Sequence, residues 1–200
     1  MKQFIVFLVF AATTCLVSCN DITLNCAFKT SIFKSTPRSY DCFIESLTFS
    51  AADKVVAVTG DHEDGKTNDD VTGFVAIGSG IEVFPRGLEN VFPNLLIVSL
   101  QGSSIPTVNA GDFKAFPNLR DLEIYSGELE TITADSFKYN KNLEWLDLSS
   151  NKLRSIDIKA FQGLDKLKTL FLYKNVCIDE YPAGSRDRVL ELIEKVGQKC

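Results

Sequence analysis

Leu143-Glu144-Trp145-Leu146-Asp147-Leu148-Ser149-Ser150-Asn151-Lys152-Leu153-Arg154-Ser155-Ile156, with Phe161 and Leu164 following, is the stretch from which the rest of this 200-residue chain can be read. It opens on L-x-x-L-x-L and closes on a sparser apolar tail. The same sentence begins at Leu95, Leu119 and Leu167, so that with Leu143 the four starts stand 24 residues apart. The copy from Leu119 continues through Leu122, Ile124, Leu129, Ile132 and Phe137. The copy from Leu95 continues through Val98, Leu100, Ile105, Val108, Phe113 and Phe116. A weaker copy runs from Val71 through Phe74, Ala76, Ile81, Phe84 and Phe92, with Leu88 one residue short of the phenylalanine slot. Self-similarity at such a period is the mark of a solenoid.

A single coil cannot bury its apolar edge except against the next coil, so stacking is compulsory. Alternation within L-x-x-L-x-L makes a short strand with Leu146 and Leu148 inward and Trp145, Asp147 and Ser149 outward. The slot after the strand turns the chain. Asn151 and Asn175 suit it because a side-chain amide can satisfy turn backbone groups, whereas Ser103 and Gly127 hold it in earlier copies. Phe113, Phe137 and Phe161 share the period and are expected to form an aromatic spine under the convex side.

The composition is that of a globular chain, 45% hydrophobic and 24% charged, with net charge −5. Lys2 and the apolar run from Phe4 to Ala12 read as a secretory signal, too short for a membrane span. Cleavage after Ser18 or after Cys19 fits, and loss of Lys2 takes the charge from −5 to −6. Leu16-Val17-Ser18-Cys19 also matches a bacterial lipoprotein signal. With Cys15 and Cys19 removed along with the signal, four cysteines remain, Cys26 and Cys42 before the repeats, Cys177 and Cys200 after them. Of three possible pairings, Cys26–Cys42 with Cys177–Cys200 alone avoids tying the two ends of a rod together, and such caps suit an oxidising compartment.

Residues 42–49 and 54–58 read as a hairpin joined at Ala51-Ala52-Asp53, covering the first coil. At the other end Val189, Leu190, Leu192, Ile193 and Val196 are spaced for one buried helix face over residues 186–195. Residues 60–70 read as an exposed acidic loop. It contains the spacing of a phosphate-binding loop, Gly60 then Gly65-Lys66-Thr67. Its interior, however, is Asp61-His62-Glu63-Asp64, and no amphipathic helix follows, so nucleotide binding is not expected. One histidine and scattered carboxylates offer no catalytic constellation. No zinc site or cofactor is expected. The acidic balance disfavours nucleic acid.

Taken together, the repeats resemble extracellular leucine-rich repeat proteins, and the chain is similar to small secreted insect leucine-rich repeat proteins. The resemblance is carried by Asn25-Cys26 to Tyr40-x-Cys42, by Gly60-x-His62 with Gly65-Lys66-Thr67-Asn68-x-Asp70-Val71, by Phe92-Pro93-Asn94-Leu95 with its echo at Phe116-Pro117-Asn118-Leu119, and by Asn175-Val176-Cys177-Ile178-Asp179. It implies an α/β leucine-rich repeat solenoid, a short curved parallel sheet with disulfide-stapled caps, used for binding. Relatives of that type include leucine-rich immune proteins and Toll-like receptor ectodomains. This chain departs from them in having no transmembrane span, signalling domain, coiled coil or extra cysteine. The expected organisation is a signal peptide over residues 1–19, an N-terminal cap over 20–70, repeats over 71–176 and a C-terminal cap over 177–200.

If the concave sheet binds, its outward positions carry the chemistry. Tyr125, Trp145, Phe171 and Tyr173 fall in one patch edged by Asp121, Glu123 and Asp147, and exposed aromatics of this kind serve as interface anchors. The competing reading is that these rings only pack on one another across strands. The expected protein is a secreted, non-enzymatic monomer that binds a protein partner with a basic, apolar-centred surface. The alternative is an extracellular matrix or assembly protein that self-associates.

Overall fold

The computed structural model describes residues 19–33 and 35–200, so the expected signal lies outside the described residues except for Cys19, which is exposed and unpaired. Fourteen strands and two α-helices follow in order: β1 (Asn20–Asn25), β2 (Ala27–Ser31), β3 (Ser39–Ile44), β4 (Thr48–Phe49), β5 (Asp53–Thr59), β6 (Gly73–Ile77), β7 (Gly80–Ile81), α1 (Leu88–Val91), β8 (Ile97–Gln101), β9 (Thr107–Val108), β10 (Asp121–Tyr125), β11 (Thr131–Ile132), β12 (Trp145–Asp147), β13 (Ser155–Ile156), β14 (Thr169–Phe171) and α2 (Arg186–Lys199). One seven-stranded sheet runs β14-β12-β10-β8-β6-β3-β2, parallel throughout except for β2 at its edge. Successive coils lie in strict register, with Gly73, Ile97, Asp121, Trp145 and Thr169 as partners in one row. The coils stack as a solenoid of short parallel strands with few helices, in keeping with the 24-residue period.

The core lies between this sheet and the convex turns. Leu122, Leu146, Leu148 and Leu170 are fully buried, as are the spine residues Phe113, Phe137 and Phe161 to within a few per cent. Phe137 and Phe161 stand 6.4 Å apart, and Phe84 continues the aromatic packing 4.6 Å from Phe113. The asparagine slot works through specific bonds. Asn151 Nδ2 donates to the carbonyls of Ile124 (2.7 Å) and Leu148 (3.1 Å), and its Oδ1 accepts from the N–H of Gly127 and Leu129, both at 3.2 Å. Asn175 repeats the pattern one coil on. The residue just before each slot is left-handed at Gly102, Ser126, Ser150 and Lys174, so the turn recurs in backbone conformation as well as in sequence.

The N-terminal region differs from the hairpin expected over residues 42–49 and 54–58. β3 pairs with β2 on one side and β6 on the other, β4 pairs with β7, and β5 pairs in parallel with β1. The apolar residues in these segments are claimed by the solenoid itself: Cys42 and Ile44 occupy inward strand slots, and Phe49 packs at 1% exposure. The stretch is a further coil in disguise. Asp41 is the register partner of Gly73, a spacing of 32 residues instead of 24, and the surplus carries the loop over residues 60–70.

Both ends are stapled, Cys26 to Cys42 and Cys177 to Cys200. α2 extends four residues beyond the expected helix end, and Ser185 caps it by accepting from the Arg188 N–H. Val189, Leu192 and Val196 are its buried residues, but Leu190 is half exposed. Five apolar positions made too wide a face for a helix that meets one coil on one side.

Candidate binding face on the concave sheet

Because side chains alternate across a strand, the residues between the buried leucines all emerge on the concave side. One row there is Asp41, Gly73, Ile97, Asp121, Trp145 and Thr169. The next is Phe43, Val75, Ser99, Glu123, Asp147 and Phe171. The two halves of this surface differ. At the C-terminal half Trp145, Phe171, Tyr173 and Tyr125 are all half-buried, open to solvent on one side. Trp145 and Phe171 have centroids 4.8 Å apart and Phe171 meets Tyr173 edge-on at 6.1 Å. The rings of Trp145, Phe171 and Tyr173 thus pack on one another across strands, and each remains partly exposed.

Tyr125 stands apart from this stack and donates its hydroxyl to Gln101 Oε1 at 3.2 Å. Partial burial raises its phenol pKa, with Glu123, Asp147 and Tyr173 adding to the effect. Asp147 Oδ1 accepts from the N–H (2.9 Å) and hydroxyl (2.5 Å) of Ser149, which fixes it at the patch edge. Along the entry side runs an ion ladder in which Glu144 pairs with Arg120 at 3.3 Å and with Lys168 at 2.9 Å. The hydrogen bond from Lys168 holds the Glu144 carboxyl below its ordinary range.

Two expected edge residues are not at an edge. Asp121 is 1% exposed and Glu123 8%, and the Ser99 hydroxyl donates to Glu123 Oε2 at 2.8 Å. The Ser35 hydroxyl donates to Asp121 Oδ1 and the Ser35 N–H to Oδ2 at 3.3 Å, a contact spanning 86 residues of sequence. Burial pushes the Asp121 carboxyl up to about 6, and Glu123 and Glu144 push the same way against the Ser35 N–H and Arg120. An outward position at a strand's start reads from sequence as exposed. Nothing in the repeat period shows that the β2–β3 connection crosses it.

Residues missed in the sequence complete the open half. The chain after the last repeat returns along β14, where Ala183 and Leu170 exchange two 3.0 Å backbone bonds. This sets Tyr181, 92% exposed, and Pro182 beside Phe171 and Tyr173. Together with Lys174, Asp179 and Glu180 they line an open cleft of about 500 Å³, a size that suits a side-chain cluster or small ligand. The Tyr181-Pro182 pair after Asp179 was the only signal, and no periodicity marked it.

The loop with phosphate-binding spacing folds as a cap on the sheet edge. His62 stacks on Phe28 at 3.8 Å and bridges the Tyr40 hydroxyl and Asn68 Oδ1, each at 3.0 Å. Glu63 accepts from the Thr30 N–H and hydroxyl, satisfying the outer edge of β2, while Lys66 Nζ lies 4.4 Å over the Tyr40 ring. After Thr67 comes a three-residue 3-10 turn. Among the described residues no cluster of potential metal ligands occurs, and no helix is long and apolar enough to cross a membrane.

Residues 117–176 match the leucine rich repeat family, and the coils before them keep the same register. No curated protein matches the chain. Among solved structures it is similar to the crystal structure of a TLR13–ssRNA13 complex, with 26% identity over 62% of this chain and 17% of that one and a TM-score of 0.49. It is also similar to the Toll–Spatzle complex of Drosophila, with 27% identity over 67% and 17% and a TM-score of 0.48. This chain thus spans 17% of the length of either.

Proposed function

We propose that this chain is a secreted leucine-rich repeat module that binds a protein partner through the open half of its concave face, without enzymatic activity. The observation that supports this most directly is the aromatic cluster of Trp145, Phe171 and Tyr173, continued by the exposed Tyr181. Four large rings on one side of a rigid sheet are an arrangement found at interface centres. Asp147 and Asp179 give the rim an acidic character, so the fitting partner presents an apolar centre with basic residues around it. The two disulfides support an oxidising, extracellular setting. Innate immune recognition is the setting that the resemblance implies, and it stands here as part of the proposal.

The test is capture with crosslinking from the native extracellular fluid, comparing wild type with Trp145→Ala and with Lys159→Ala on the convex side. Trp145→Ala is expected to weaken partner binding by about 2 kcal/mol or more, as for a central anchor, and Lys159→Ala to leave it unchanged. Equal capture by all three would remove the concave aromatics as the interface.

A further inference from the structure

The entry end of the concave sheet is covered by the chain's own connection between β2 and β3. Ile97 faces the concave side in the same row as Asp41 and Asp121, yet it is fully buried, and Ser39 and Thr36 are buried at 2% and 6% exposure. At its tip the connection turns through a bond from the Phe33 N–H to the Thr36 carbonyl, and Ser35 gives both its donors to Asp121. Its base is closed, since Ser31 and Ser39 are register partners. A short irregular peptide is thus laid across β3, β6, β8 and β10 and read by one carboxylate.

We propose that this floor, formed by Asp41, Gly73, Ile97 and Asp121, is a peptide-binding site occupied in cis by the strap, and that lifting the strap frees it for a segment of the same chemistry: a turn offering a main-chain N–H and a hydroxyl to Asp121. Gly73 has a structural role in the floor: the Asp41 carboxylate occupies the space where a side chain would stand, and a Cβ at that position would lie 2.1 Å from Asp41 Oδ1. The closed arrangement is also incompletely paired. Thr36 Oγ1 and Asp41 Oδ1 are buried without a hydrogen-bond partner among the described residues, and buried polar atoms in that state favour release to water. Burial under the strap disfavours the charged form of both carboxylates it covers, Asp41 and Asp121. The site is distinct from the aromatic cleft, so it stands or falls independently of the partner proposed above.

The probe is a labelled synthetic peptide of residues 31–39, SIFKSTPRS. Replacing residues 32–38 by Asn-Gly gives a strapless protein whose hairpin still closes, because a two-residue turn fits between directly paired residues. As a second route, Ser35→Asp in the full chain sets a carboxylate against Asp121 and lifts the strap without shortening it. Trp145, the sole tryptophan, is the register partner of Asp121 and reports occupancy by its fluorescence. Both variants are expected to bind the peptide saturably with a shift in Trp145 emission, and wild type is expected not to bind it. Adding Asp121→Ala to the strapless protein is expected to weaken binding by about tenfold or more, the scale of a lost charged hydrogen bond. The proposal is overturned if both variants fold cooperatively and neither binds. It is overturned equally if wild type binds as well as they do, or if Asp121→Ala leaves the affinity unchanged.

Discussion

At Asp121 one carboxyl faces two opposing demands, donors from Ser35 that favour its ionised form and burial that opposes it, and burial wins by raising the pKa to about 6. The unfolded chain titrates near 3.9, so the folded state binds this proton more tightly. The resulting stability is fully present below about pH 4 and is lost as pH rises through about 6. Chemical denaturation of wild type and Asp121→Asn across that window is expected to differ in slope, with about 2–3 kcal/mol of the wild-type decline absent from the variant. Parallel curves would mean that Asp121 stays hydrated beneath Ser35. Phe137 is the opposite kind of residue, apolar and fully buried against Phe161. Phe137→Ala is expected to cost about 3–5 kcal/mol, and a loss under about 1 kcal/mol in the same measurement would mean the spine is not a packed core.

For single elements, the repeat turn shows what the sequence displayed and what it concealed. The strands, the asparagine slots and the phenylalanine spine were legible because each rests on a period of 24 that local chemistry enforces. The left-handed residue before each slot was not, since only Gly102 among the four is the residue type that announces it. At Gly102 a Cβ would meet only the Ser126 carbonyl, at 3.9 Å, so space is ample and the backbone angle alone decides. Gly102→Ala is expected to lose about 1 kcal/mol and Ser126→Gly to gain a similar amount or less, both from the cost of a left-handed L-residue. Calorimetric midpoints moving in the same direction for both would refute that account. The first coil was hidden for a related reason. Eight surplus residues break the period between Asp41 and Gly73, and alternating apolar residues without a period read as a hairpin.

On the scale of the whole molecule, a solenoid gains stability from nearest neighbours, so each coil feels damage elsewhere only through the stack. The aromatic half of the concave face was visible in sequence because its residues sit within the repeats. The strap and the Tyr181-Pro182 wall were invisible because long-range return contacts, Ser35 to Asp121 and Ala183 to Leu170, set them in place. That wall is the part most exposed to end fraying. α2 packs behind the last coil through Val189, Leu192 and Val196, and Cys200 ties it back to Cys177 over 23 residues. A loop of that size contributes about 3 kcal/mol on a chain-entropy estimate. The double change Cys177→Ser with Cys200→Ser is therefore expected to remove roughly that much, and to remove it locally. In hydrogen exchange the amides of β14 and Ala183 should lose protection first, while β8 and β10 in the middle of the stack keep theirs. Partner binding should fall along with the β14 amides, since Phe171 and Tyr173 lose the wall beside them. Uniform loss of protection across all coils would show instead that the molecule unfolds as a single unit, and that the C-terminal cap holds the whole sheet and not only its last strand.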